Sequence, residues 1–261
     1  MAGFLVVNLG SGKASPTADE LVEAASGLGI DAHVMQPGED AADAARHADA
    51  QALGIAGGDG SLAAVAAVAV ERDLRFVCVP FGTRNHFARD LGLDRDDPLA
   101  ALDAYRGHER RIDVGWANDR LFLNNVSLGV YAQLVHQREH HRRRRQALAR
   151  VRAWLALATH REPLGISVDG APVDARLVLV GNNAYVLELP TIGARARLDA
   201  GILALYVVQG GVDERHGQRF VVDARAGRIT AAVDGEPEVL ATPIEFRVQP
   251  RALRLLVPPG L

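Results

Sequence analysis

Three glycines around an aspartate, Gly57-Gly58-Asp59-Gly60-Ser61, are the residues of this 261-residue chain best arranged for chemistry. Glycines in a loop let a ligand approach the backbone N–H groups, and the Ala/Val-rich run from Leu62 reads as a helix whose N-terminus favours an anion. Phosphate is the natural occupant. Asp59 is a poor neighbour for bare phosphate, so it points to an accompanying divalent cation or to proton transfer. Capping of the following helix by Asp59 or Ser61 stays open as the alternative. A second polar, glycine-bearing stretch, Pro80-Phe81-Gly82-Thr83-Arg84-Asn85-His86-Phe87-Ala88-Arg89, follows the next apolar run. A third, with Asn8, Gly10, Ser11 and Gly12, follows the first such run. Late in the chain Asp234-Gly235-Glu236 combines a tight-turn signal with a carboxylate, and a hairpin with a solvated Glu236 explains it as readily.

The elements that must hold these loops are legible as periodicity. Short apolar runs at 4–9, 32–35, 52–56 and 76–79 alternate with helical patterns at 17–28, 41–50 and 62–71. Such a series predicts a doubly wound α/β domain, a parallel sheet covered on both faces, with ligands at the carboxyl ends of its strands. From residue 111 the texture becomes strand runs separated by turns, at 111–116, 120–126, 165–169, 176–181, 202–208, 228–233, 244–248 and 253–257. That predicts an antiparallel β-sandwich domain, interrupted by one helix at 146–159. The expected domains are 1–110 and 111–261, with the last strand packing back toward the first domain.

Composition excludes several functions. A formal charge of −3 gives no global basic field for nucleic acid. Lys13 is the single lysine, and residues 8–14 lack the first Gly and the Ser/Thr of a P-loop, so phosphate must be held by amides, arginine or a metal. The single cysteine, Cys78, rules out intramolecular disulfides and zinc–thiolate clusters, and it lies in a strand run as an inert core thiol. No basic leader with an apolar core begins the chain and no apolar run approaches about 18 residues, which sets a cytoplasmic expectation. The most basic stretch runs from His140 to Arg161 and includes Arg142, Arg143, Arg144 and Arg145. It reads either as a solvated loop or as a contact with an anionic membrane, each basic residue there contributing about 1 kcal/mol.

Taken in order, Gly57-Gly58-Asp59-Gly60-Ser61, the P-x-G-T-x-N-x-x-A-R pattern of residues 80–89, Phe122-Leu123-Asn124-Asn125-Val126-Ser127-Leu128-Gly129 and Asp234-Gly235-Glu236 resemble the diacylglycerol kinase catalytic family. That family includes bacterial diacylglycerol and other lipid kinases, sphingosine kinases and ceramide kinases; NAD kinases share the Gly-Gly-Asp-Gly loop more distantly. The resemblance implies an α/β nucleotide domain and a β-sandwich domain with the active site in the cleft between them. It implies ATP against Asn8, Gly10, Ser11, Gly12, Gly57, Gly58, Gly60, Ser61, Gly82, Thr83 and Asn85. Mg²⁺ would lie near Asp59 and Asp113, and Glu236 would accept the proton of the lipid hydroxyl. Phosphorylation of a lipid, diacylglycerol first, is the expected activity. A sphingoid base, an isoprenoid alcohol or NAD as acceptor remains open, as does a nucleotide- or lipid-binding protein with little turnover. A homodimer is compatible with the sequence.

Two departures from the family bear on metal binding. His86 stands where an aspartate is usual, which leaves Asp59 and Asp113 as the carboxylates of the acidic network. In Arg197-Leu198-Asp199-Ala200-Gly201 the second aspartate of a Leu-Asp-Asp-Gly stretch is Ala200, so the structural Mg²⁺ that bacterial members hold there is expected to be lost.

Overall fold

The computed structural model describes residues 2–9, 16–82, 85–129, 163–186 and 193–261. The chain divides into two units: unit 1 is Met1–Val114, Ala194–Asp199 and Pro250–Leu261, and unit 2 is Gly115–Gly193 and Ala200–Gln249.

Unit 1 is a parallel α/β fold. Strands β1 (Gly3–Val7), β2 (Ile30–Val34), β3 (Ala52–Gly57) and β4 (Arg75–Pro80) lie in the order β2-β1-β3-β4. Next to β4, and parallel to it, runs the end of β16 (Ile244–Val257), with Arg254 opposite Arg75 and Leu256 opposite Val77. Every residue of β3 is buried, which is what a parallel sheet covered on both faces requires and why its sequence shows no polar alternation. On one face Leu5, Val7, Ala52, Ala56, Val77 and Val79 pack with Leu21 and Ala25 of α1 (Ala18–Gly27) and with the 3₁₀ helix Ala100–Arg106. Helices α2 (Ala41–Arg46) and α3 (Asp59–Glu71) pack on each other and on the strands. The start of α1 is fixed by a capping box between Thr17 and Glu20. A short helix not expected from the sequence, α4 (His86–Asp90), follows β4.

Unit 2 is a two-sheet antiparallel fold. Between β5 (His108–Ala117) and β16 come β6 (Arg120–Phe122), β7 (Asn125–Gly129), β8 (Ile166–Val168), β9 (Ala171–Val173), β10 (Leu177–Asn182) and β11 (Leu203–Val208). The rest are β12 (Val212–Gly217), β13 (Arg219–Ala224), β14 (Arg228–Val233) and β15 (Glu236–Ala241). One sheet has the order β12-β11-β10-β7-β14-β15; in the other, β13 joins β16 to the β8–β9 hairpin. The core is the layer where their inner faces meet, with Val126, Leu128, Val180 and Leu205 on one side and Phe220, Val222, Ile244 and Phe246 on the other. Phe122 and Phe246 meet edge to face at 6.5 Å.

The α/β-plus-β class stands as expected, and the structure corrects individual elements. The run at 120–126 is two strands, β6 and β7, with Leu123 and Asn124 between them. The runs at 244–248 and 253–257 are one strand. Strands β12 and β13 appear where the sequence suggested none, and β15 follows the Asp234-Gly235 turn. The helix at 146–159 lies outside the described residues.

Candidate functional site

In unit 1 the two glycine loops close on each other. A Cβ on Gly82 would stand 2.5 Å from the Gly58 Cα, so a side chain there would force the loops apart. Gly82 N–H donates to Asn85 Oδ1 at 3.0 Å, and Asn85 Nδ2 donates back to the Gly82 carbonyl at 2.9 Å. Asn85, 2% exposed, adopts φ +48°, a left-handed conformation that asparagine tolerates better than most residues. This ring of bonds makes the turn out of β4 and starts α4.

Asp59 ties the first loop to the second. Its Oδ2 accepts the His86 N–H at 3.2 Å and its Oδ1 the Phe87 N–H at 3.1 Å. The sequence left open a capping role toward α3. The carboxylate instead serves the first turn of α4, and the N-cap of α3, Gly58, has no side-chain cap bond. Ser61 Oγ donates to the Gly58 carbonyl at 3.0 Å, which fixes the first turn of α3. Asn8 extends β1 beside them, its N–H on the Ala56 carbonyl at 2.9 Å. Gly57, Gly58, Gly60 and Ser61 therefore lie at the N-terminus of a 13-residue helix, where exposed amides and the helix dipole favour anionic oxygens. Gly10, Ser11, Gly12 and Thr83, together with Arg142 to Arg145, lie outside the described residues.

Burial, and after it the charge of Asp59, pushes the Cys78 thiol far above its ordinary range. The thiol is buried and inert, as its place in β4 suggested. Asp113 is fully buried on β5. It accepts the Arg251 N–H on Oδ1 at 2.8 Å, and its own N–H donates to the Leu198 carbonyl at 2.8 Å. The side chain at His86 is exposed.

Unit 2 builds its polar cluster around the β14–β15 turn. Asp234 and Gly235 have φ of +49° and +91°, the two positive values a tight two-residue hairpin needs, and Val233 pairs with Glu236 across it. The Asp234 carboxylate accepts three backbone N–H groups, from Leu123 at 2.7 Å, Asn124 at 2.7 Å and Asn125 at 3.0 Å. The first aspartate of Asp-Gly-Glu is thus structural, and it holds the Asn-Asn stretch against the turn that carries Glu236. Glu236 itself is exposed at the first position of β15.

Sequence reasoning did not find the rest of this cluster. Asn125 Nδ2 donates to the Tyr185 hydroxyl at 2.8 Å, and that hydroxyl donates to the Asn124 carbonyl at 3.1 Å. Asn182 Nδ2 donates to the Leu123 carbonyl at 3.1 Å, and Asn183 Oδ1 accepts the Ala200 N–H at 3.0 Å. Its signal was the Asn182-Asn183 pair at the end of an apolar strand, with Tyr185 two residues on.

Known proteins resemble parts of this chain. A family model described as the diacylglycerol kinase catalytic domain matches residues 3–117. A Klebsiella pneumoniae protein named "Probable lipid kinase YegS-like" is 33% identical over 143 residues, 51% of this chain and 47% of that protein. A Bacillus subtilis diacylglycerol kinase is 33% identical over 117 residues, 42% of this chain and 39% of that enzyme. The matches thus span about half or less of these relatives' length. A Bacillus anthracis diacylglycerol kinase structure superposes with a TM-score of 0.71 over 99% of this chain and 97% of that one, at 17% identity, and shares the fold.

Proposed function

We propose that this chain, whose residues 3–117 match the diacylglycerol kinase catalytic domain model, is an ATP-dependent lipid kinase that transfers the γ-phosphate to a lipid hydroxyl, with diacylglycerol as the acceptor. The observation that carries the reading is the closure of the two glycine loops, Gly82 on Gly58, with the Asp59 carboxylate spanning both. Phosphoryl transfer asks of a protein mainly positioning and charge neutralisation; this arrangement would supply the positioning, and a metal ion held by Asp59 the neutralisation.

In this reading the amides at the start of α3 cradle the ATP phosphates, with Asn8, Gly82 and Asn85 beside them and Gly10, Ser11, Gly12 and Thr83 completing the nucleotide contacts. Asp59 and Asp113 hold Mg²⁺. Mg²⁺ takes one or two carboxylates plus phosphate oxygens and water rather than an all-protein cage. The ion would neutralise the charge that develops on the transferring phosphoryl group. Glu236, on a turn held rigid by Asp234, accepts the proton of the lipid hydroxyl. A second, structural Mg²⁺ has no place in this reading, because Asp199 is paired with Arg197 and Arg251 and Ala200 offers no oxygen. Arg142 to Arg145 supply contact with an anionic membrane, so co-sedimentation with vesicles should need anionic lipid and weaken in high salt.

The test is ATP turnover with Mg²⁺ against diacylglycerol, a sphingoid base, an isoprenoid alcohol and NAD. Diacylglycerol is expected to be the fastest acceptor, and Glu236→Gln to lower kcat by at least about a hundredfold with the fold intact. Turnover of NAD alone would replace the lipid reading, and a wild-type rate in Glu236→Gln would remove the assigned base.

A further inference from the structure

A second concentration of charge lies in unit 1. A cavity of about 380 Å³ is lined by Arg110, Arg111, Arg195, Arg197, Asp90 and Asp199, a formal excess of two positive charges. Its volume is within the range of small-ligand pockets.

The two carboxylates are already shared between cations. Asp90 Oδ1 accepts Arg89 Nη2 at 2.7 Å and its Oδ2 accepts Arg195 Nε at 2.8 Å, with the Arg195 and Asp90 side chains 0% and 1% exposed. A guanidinium buried to that degree is held in place by its carboxylate, since an unpaired buried charge is strongly disfavoured. Asp199 Oδ1 accepts Arg197 Nε at 3.1 Å, and Arg251 Nη2 stands 3.8 Å from its Oδ2. These arginines, Arg197 first, hold the Asp199 carboxyl below its ordinary range, so it stays ionised and paired. The charge in excess falls on the β5 arginines. Arg110 has no ion-pair or hydrogen-bond partner among the described residues. Arg111 Nε is 3.6 Å from Glu109, a carboxylate held more closely by Arg254 at 2.9 Å.

We propose that this cavity is a binding site for a phosphomonoester, separate from the glycine loops. Guanidinium forks match phosphate oxygens two at a time, where an ammonium gives only a point charge. A phosphomonoester carries about −1.5 to −2 at neutral pH and so answers the whole excess, whereas a carboxylate answers half of it. A divalent cation is repelled. The chemistry of the ligand rests on the arginines alone; that a phosphorylated lipid is its source rests on the lipid kinase reading, whose product would be such a compound.

The experiment titrates the nucleotide-free full chain with inorganic phosphate and with glycerol 3-phosphate, followed by ³¹P NMR and calorimetry. Phosphatidylcholine vesicles with and without phosphatidate form the second arm. The variant carries Arg110→Gln and Arg197→Gln, both on exposed side chains, and its thermal unfolding is checked alongside. Binding to the wild type that weakens by about tenfold or more in the variant supports the site. A preference for phosphatidate vesicles assigns the lipid headgroup as source, and binding of the soluble esters alone assigns a free phosphomonoester. Equal binding by wild type and variant, absence of binding in both arms, or loss of binding when a non-hydrolysable ATP analogue saturates the protein would overturn it. Because no arm needs turnover, a protein that binds but does not phosphorylate lipid would discard the kinase reading and keep the site.

Discussion

Asp59 and Asp234, like Asp113, accept hydrogen bonds from backbone N–H groups far along the chain. Removing such an acceptor leaves donors without partners at a cost of about 1–3 kcal/mol for each buried group. Asp59→Ala deprives His86 and Phe87 and should lower the urea midpoint, while Asp59→Asn, which keeps one acceptor oxygen, should lower it less and still abolish turnover. Equal stability of Asp59→Ala and wild type would refute the bridge to α4. Asp234→Ala deprives three donors, so its loss of stability should exceed that of Asp59→Ala in the same urea titration. From sequence, both residues were visible as members of loops, but their bonding was not. A carboxylate's partners at a separation of 27 or 110 residues are set by tertiary closure, which local spacing does not encode. Tyr185, Asn182 and Asn183 escaped for the same reason.

Elements were legible where burial imposes a pattern. Strands β1, β3 and β4 of unit 1 are largely buried on both sides and read as continuous apolar runs; β14 and β15 were marked at their turn by Asp234-Gly235. Strand β12, Val-Asp-Glu-Arg-His-Gly, is a sheet edge exposed along nearly its whole length, so no apolar alternation announces it. Helix α4 has five residues, too few for a helical period, and β6 parts from β7 where Asp234 takes the N–H groups of Leu123, Asn124 and Asn125. Charge also joins elements. Glu109 on β5 accepts from Arg254 of β16 at 2.9 Å and from Arg75 of β4 at 3.2 Å, and these bonds, Arg254 first, hold its carboxyl below the ordinary value of 4.5. A folded value below the unfolded one means the contribution is complete above about pH 4.5 and fades as pH falls through the lowered value. In Glu109→Gln the decline of unfolding midpoint between pH 5 and pH 3 should therefore be shallower than in wild type. An identical slope would show that the three elements are held without this ion pair.

At the scale of the whole molecule, unit 1 is assembled from three stretches of chain, and its last, Pro250–Leu261, supplies the strand beside β4. Leu253, Leu255, Leu256 and Val257 there are at most 5% exposed. Burying four aliphatic side chains contributes roughly 6–12 kcal/mol at about 1.5–3 kcal/mol each, comparable with the roughly 5–15 kcal/mol that separates a typical folded domain from its unfolded chain. The same stretch donates the Arg251 N–H to Asp113 and the Arg254 guanidinium to Glu109. Unit 1 should therefore not hold its fold without its last twelve residues, although more than a hundred residues of it precede them. In hydrogen exchange of a chain ending at Gln249, the amides of β4 and β3 should lose protection, while those of β10, β11 and β7, whose pairing lies within unit 2, keep theirs. Nucleotide binding should fall with the protection of β3, because the glycine loop follows directly from that strand. Protection of β3 and β4 unchanged by the truncation would mean that the α1, α2 and α3 packing alone holds the parallel sheet, and that β16 only decorates its edge.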